Sequence, residues 1–317
     1  RGADAARRST VCAMATAAEP RPAQLPLPGG TEGATVRLHP LLCARMACPP
    51  GLLHRAEGRL AGLRALGVGV AREEWPEIPV VAFAVEHPGA GLLLVDTGFH
   101  AAVAVDPAQG MGRLGGLVFK DLRMDAGQAV PAQLRERGLD PGAVRAVLMT
   151  HLHADHASGI SQFPDATFLV SSAEWEAAAD GGQTDGYLRR QFDHAFDYRL
   201  LDFDSAATSS YAGFGRTLDV FGDGSVRVAL TPGHTAGHCS IVLRLPDREA
   251  LICGDAAYTE RTIAETALPQ RMADEHRFRR SLREIQRFLE QRPGALAIPG
   301  HDMAAFRRLD AAYGRPG

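Results

Sequence analysis

The chain has 317 residues, 45% of them apolar and 22% charged, with a formal net charge of −3 at pH 7. That length and apolar share suit one large α/β core, and the acidic balance argues against a nucleic-acid-binding face. Five cysteines (Cys12, Cys43, Cys48, Cys239 and Cys253) without a Cys-x-x-Cys pair exclude a disulfide framework and a structural zinc knot. Cys43 and Cys48 are near enough in sequence to pair, but reduced thiols in a cytoplasmic protein are the simpler reading.

In chain order, residues 1–33 are rich in Ala, Pro, Gly and Arg and show no apolar period, which predicts disorder. The expected division is a disordered segment over 1–35 and one folded domain over 36–317. No apolar run of signal-peptide or membrane-spanning type is present, so no membrane partner is expected. Residues 79–86 and 92–96 are apolar runs split by a Gly- and Pro-rich turn, and predict a hairpin. Residues 100–123 form a long irregular segment holding Met111, Leu114, Leu117, Val118 and Phe119 among glycines. Long loops in compact domains are often functional, so this one is expected to wall a pocket. Helical spacing through Val130 and Leu134 predicts a helix over 125–138. A buried strand is expected over 144–150, then a strand over 167–171 and a helix over 173–179. Residues 183–198 carry Tyr187, Phe192, Phe196 and Tyr198, which suit either a pocket wall or core packing. Strands follow at 218–221, 226–231, 240–245, 250–253 and 296–298. A helix over 274–291 precedes the last of these, with Phe278, Leu282, Ile285 and Leu289 on one face and charged residues on the solvated one.

The chemistry gathers where these strands end. Thr150-His151-Leu152-His153-Ala154-Asp155-His156 packs three imidazoles and a carboxylate into six positions. Neutral imidazole and carboxylate are the ligand types that hold zinc or a similar divalent ion. Further along, short apolar runs lead into Gly233-His234, Gly254-Asp255 and Gly300-His301. That is the layout of a site built on loops at the ends of buried strands. Taken singly, each is an ordinary loop residue; in this order they support one another.

The ordered set His-x-His-x-Asp-His, then His234, Asp255 and His301, resembles the metallo-β-lactamase superfamily over roughly residues 78–305. The resemblance implies a four-layer αβ/βα sandwich within the α/β class. It also implies that His151, His153 and His234 hold one metal, that Asp155, His156 and His301 hold a second, and that Asp255 bridges them. The β-lactamases proper depart from this set at Asp255, and the iron-binding electron-transfer branch carries Glu where this chain has His153. A dinuclear hydrolase of the wider superfamily therefore fits best. Within it, Gly254-Asp255-Ala256-Ala257-Tyr258-Thr259 is similar to the segment of N-acyl-homoserine lactone lactonases in which a Tyr points at the substrate carbonyl. Leu93-Leu94-Val95-Asp96-Thr97-Gly98 and Pro299-Gly300-His301-Asp302 carry the same likeness. His238 is structural in the family, and Asp302 is expected as a turn residue. Asp96 is a candidate to orient a ligating imidazole, with Thr150 and Thr231 as hydroxyls that hold neighbouring backbone.

The implied cofactor is two divalent metal ions per chain, with zinc as the default. Two such ions roughly 3.5–4 Å apart can share a hydroxide, because each lowers the pKa of bound water. That hydroxide would attack a lactone carbonyl, with Tyr258 donating to the carbonyl oxygen and Asp155 passing a proton to the leaving alkoxide. The expected partner is a small lactone or ester, and a homodimer is common in such lactonases. An arylesterase, a thioester hydrolase of glyoxalase II type or a phosphotriesterase would use the same metals with different pocket contacts. A non-catalytic metal-binding scaffold is the remaining reading, and a complete ligand set argues against it.

Overall fold

A computed structural model describes residues 17–112 and 120–314. Eight strands make the first sheet: β1 (Arg21–Pro22), β2 (Arg37–Ala47), β3 (Glu77–His87), β4 (Gly91–Val95), β5 (Lys120–Arg123), β6 (Val144–Leu148), β7 (Thr167–Ser171) and β8 (Asp197–Leu201), in the order β1-β8-β7-β6-β4-β3-β2-β5. Six make the second: β9 (Ser209–Tyr211), β10 (Phe214–Asp219), β11 (Val226–Leu230), β12 (Cys239–Arg244), β13 (Glu249–Gly254) and β14 (Leu296–Pro299), in the order β14-β13-β12-β11-β10-β9.

The layering follows from strands that are apolar on both faces. In β3, Val81, Phe83 and Val85 turn toward the second sheet, and Val80, Ala82 and Ala84 turn outward. The inter-sheet core joins Phe83, Val95 and Leu148 to Val228, Ile241 and Ile252. Outside the first sheet, Leu94, Val147 and Phe168 pack with Leu134 and Trp175 of the helices Val130–Glu136 and Ser172–Asp180. Outside the second, Val242 and Leu251 meet Phe278, Leu282, Ile285 and Phe288 of the helix Glu275–Gln291. Helix, sheet, sheet and helix follow in turn, which is the expected αβ/βα sandwich. The long helix begins where Asp274 accepts the Arg277 N–H at 2.9 Å. Phe288 completes its buried stripe, while Leu289 lies partly buried at the edge.

Several expectations need correction. Disorder over 1–35 does not hold for residues 17–35. Ala17 and Ala18 donate to Asp193, β1 pairs with β8, and Leu27 joins the inter-sheet core. Contacts to distant elements order this stretch, so its own composition carries no sign of it. Residues 1–16 lie outside the described ones. The helix expected over 125–138 is a turn at Ala126–Gln128 followed by Val130–Glu136, with Pro131 in its first turn. β2, β5, β8 and β9 were not expected. β2 carries Arg37, His39, Pro40 and Arg45, which break an apolar alternation, and ladders along β3 supply its register. Of the expected pocket wall, Leu114, Leu117, Val118 and Phe119 lie outside the described residues. Cys43, Cys48, Cys239 and Cys253 are unpaired and buried, and burial pushes the thiols of Cys43, Cys48 and Cys253 up to about 12. No helix among the described residues is long and apolar enough to cross a membrane.

Candidate metal centre

β11, β13 and β14 run in one direction, so their C-terminal ends meet at one edge of the second sheet. The end of β6 joins them from the first sheet, where the Thr150 carbonyl accepts the Cys239 N–H at 2.8 Å. β6 leads into His151 and His153, and the helical turn Ala154–Ala157 carries Asp155 and His156. β11 leads to His234 through Gly233, whose φ is +134° and whose Cβ would fall 2.2 Å from the Phe278 nitrogen. Only glycine fits there. β13 leads to Asp255 through Gly254, with φ +53°, and β14 leads to His301.

The residues singled out in the sequence converge. Donor atoms fall into three overlapping groups within 4.8 Å: His151, His153 and His234; His151, His156 and Asp255; and Asp155, His156 and His301. His153 Nδ1 lies 2.9 Å from His234 Nε2. Asp255 Oδ2 is 3.2 Å from both His234 Nε2 and His301 Nε2, and Asp255 Oδ1 is 3.4 Å from His156 Nε2. This carboxylate thus stands between the two histidine groups.

Neighbours orient these donors. Asp96 accepts the Thr150 N–H at 2.8 Å, the Thr150 hydroxyl at 2.7 Å and His156 Nδ1–H at 2.8 Å. With its hydroxyl proton given to Asp96, Thr150 Oγ1 is left to accept His151 Nδ1–H, 3.1 Å away. His301 Nδ1–H points to the Pro79 carbonyl at 3.1 Å. Each bond selects a tautomer and turns Nε2 inward. His238 stays outside the three donor groups, since its Nε2 accepts the Asp255 N–H at 2.9 Å and its Nδ1 meets Thr231 Oγ1 at 2.9 Å. Asp302 caps the turn Met303–Phe306, accepting the Ala305 N–H at 2.9 Å.

Glu174 was missed. It is fully buried in the helix Ser172–Asp180 and accepts from Leu152 N–H, the Tyr187 hydroxyl, the Thr235 hydroxyl and Gly237 N–H. One carboxylate thereby ties the His151–His153 loop to the His234 loop. Nothing in its local sequence marks it, because all four partners lie more than ten residues away.

The electrostatics divide the site. Burial lowers His151 and His234 well below the usual range and brings His153 to about 4, so these imidazoles are neutral. Burial also opposes charge on His301, but Asp255 and Asp155 raise it to about 8. Asp255 is pushed up by burial, yet the raised His301 and His156 outweigh this and hold it well below the carboxylate range.

The donor set fits divalent metal. His151 Nε2, His156 Nε2 and Asp255 Oδ1 are buried and have no hydrogen-bond partner among the described residues. Orphaned buried atoms are costly unless something fills the space between them. Beside the cluster lies a cavity of about 550 Å³, with Asp155, Asp255, His301 and Tyr258 at its polar end and Leu52, Leu53, Ile78 and Met111 along its apolar wall. Tyr187 lines it as well, whereas Phe192 and Tyr198 are core residues.

Fold and site together define a metal-dependent hydrolase. The chain belongs to the metallo-beta-lactamase superfamily, whose sequence profile matches residues 75–301. It is similar to N-acyl homoserine lactonase AttM of Azorhizobium caulinodans, 35% identical over 242 residues that cover 75% of this chain and 87% of the relative. It is equally similar to AttM of Agrobacterium fabrum, 35% identical over 242 residues, 74% of this chain and 86% of the relative. Its fold is shared with Bacillus thuringiensis AiiA holding N-decanoyl-L-homoserine (TM-score 0.68, 19% identity, 87% of this chain and 97% of that one). The dizinc quorum-quenching lactonase AidC is a more distant neighbour (TM-score 0.55, 15% identity, 88% of this chain and 92% of that one).

Proposed function

We propose that this protein opens the lactone ring of N-acyl-homoserine lactones, using two divalent ions per chain, with zinc the first choice. The observation that carries the reading is Tyr258, whose hydroxyl lies 3.2 Å from His234 Nδ1 on the wall of the cavity that also exposes Asp155 and Asp255. The relatives named as N-acyl homoserine lactonases support the same substrate class.

His151, His153 and His234 would hold one ion, and Asp155, His156 and His301 the other, with Asp255 serving both. When bound, such ions supply a nucleophile from water at neutral pH and stabilise charge on a carbonyl oxygen. The protein's own groups do the rest. His234 presents Nε2 to the cluster, so its Nδ1–H faces Tyr258 Oη and the Tyr258 proton is left to donate to the substrate carbonyl oxygen. Burial, with Asp255 and Asp155 nearby, raises the Tyr258 phenol well above its usual range, so it stays a donor. As the nucleophile adds to the ring carbonyl, the Asp155 carboxylate takes its proton, and it hands that proton to the departing alkoxide as the ring carbon–oxygen bond breaks. The apolar wall of Leu52, Leu53, Ile78 and Met111 suits an acyl chain.

The test is a pH-stat assay of ring opening on short- and long-chain acyl-homoserine lactones, with metal-loaded protein beside a His151→Ala control. Metal-dependent acid release supports the reading and ranks chain lengths. No release from protein carrying two metals per chain rejects the lactone and turns the search to aryl esters, thioesters and phosphotriesters.

A further inference from the structure

Arg271 lies in the connection between the helices Glu260–Glu265 and Glu275–Gln291. That connection is fastened on both sides of it. The Gln270 N–H donates to the Leu52 carbonyl at 3.1 Å, on the apolar wall of the cavity, and the Ala273 N–H donates to the His234 carbonyl at 3.1 Å, on the metal side. Arg271 therefore leaves a backbone held where the apolar wall meets the ligand loops.

Its side chain is exposed and crosses the cavity mouth, where a guanidinium N–H donates to the Thr184 carbonyl. The residues after Thr184, Asp185 to Tyr187, line the cavity, and the Gly186 carbonyl accepts the N–H of Ala154, between His153 and Asp155, at 3.2 Å. The side chain is thus held at both ends over the space that Tyr258 also lines. Its positive charge acts on the Tyr258 phenol, against the rise that burial, Asp255 and Asp155 cause. Among the described residues Arg271 is the only Arg or Lys along the cavity, and it has no carboxylate partner. A guanidinium carries several N–H donors, so one bond to Thr184 leaves others for a ligand.

We infer that Arg271 recognises the acyl amide of the substrate, its guanidinium donating to the amide carbonyl oxygen. The inference rests on the acyl-homoserine lactone reading above. With the ring carbonyl at Tyr258 and the acyl chain along Leu52 and Leu53, the amide lies between them, a single Cα–N link beyond the ring, and Arg271 stands at that junction. An amide carbonyl that leaves water for the cavity needs a new donor. Of the hydroxyls there, Tyr187 and Thr235 give their protons to Glu174 and Tyr258 serves the ring carbonyl, which leaves the cation to meet the amide. Arg271 is then a specificity residue that separates acylamino lactones from lactones with a plain alkyl chain.

The experiment compares kcat/KM for N-hexanoyl-homoserine lactone with that for α-heptyl-γ-butyrolactone, whose chain has the same length and no amide, on the metal-loaded enzyme. If the alkyl lactone is not opened, its inhibition constant against the acylamino lactone takes the place of kcat/KM. Arg271→Met is expected to lower kcat/KM for the acylamino lactone about tenfold, the worth of one charge-assisted hydrogen bond at an exposed site, and to leave the alkyl lactone unchanged. Arg271→Gln, polar and uncharged, repeats the test should the methionine variant lose metal or fold. An equal fall for both lactones, or no fall for either, in a folded, metal-loaded variant overturns the inference and leaves the lactonase reading standing. A wild type that does not open the acylamino lactone overturns both.

Discussion

Asp96 and His156, 60 residues apart in the chain, meet through a 2.8 Å hydrogen bond from His156 Nδ1–H to the carboxylate. The same carboxylate holds Thr150, and through Thr150 it reaches His151. One acidic side chain thus sets the ring orientation of a histidine in each metal group. Asp96→Asn keeps a residue tolerant of the left-handed backbone found there (φ 56°). It also turns one acceptor into a donor that faces donors. Metal affinity is expected to fall about 10- to 100-fold, read by zinc titration against a chelating dye. Unchanged affinity removes Asp96 from this role.

Asp155→Asn removes the carboxylate that carries a proton to the leaving alkoxide. Hydrolysis is expected to drop on the order of 10²- to 10⁴-fold. Metal content must be measured alongside, because Asp155 also belongs to the second donor group. Near-wild-type turnover in a variant carrying both metals rejects proton delivery by Asp155.

Tyr258→Phe deletes one hydrogen bond to the carbonyl oxygen while the metal groups stay whole. The loss in kcat is expected to be about tenfold, smaller than for Asp155→Asn. Complete loss of activity with metals intact would assign Tyr258 a larger part than assisting the carbonyl.

Glu174→Gln tests the tie between the two ligand loops. The amide cannot accept from all four donors that the carboxylate serves, so a cost of about 2 kcal/mol is expected. The pH dependence has a definite sign. Burial raises the Glu174 carboxyl above 4.5, although its hydrogen bonds from Thr235, Leu152, Tyr187 and Gly237 act the other way. The folded state then holds this proton more tightly than the unfolded chain. That contribution is full below pH 4.5 and is lost as pH rises through the folded value. The stability gap between wild type and Glu174→Gln should therefore narrow from pH 4 to pH 8 in thermal melts. A gap that widens over that range contradicts the assignment.

The sequence by itself displayed the candidate donors and, through the family resemblance, the layers. His151, His153, Asp155 and His156 were legible as one dense run after an apolar strand, and His234, Asp255 and His301 because each follows an apolar run and a glycine, both local patterns. The two-faced strands and the stripe of Phe278, Leu282 and Ile285 were legible for the same reason, since side-chain period encodes which face is buried. Tertiary structure decided what passes between distant segments: the nitrogen each imidazole turns inward, the carboxylate of Glu174, and the order of residues 17–35. These depend on hydrogen bonds and packing between elements far apart in the chain, and such contacts leave no period, spacing or composition for a sequence to display.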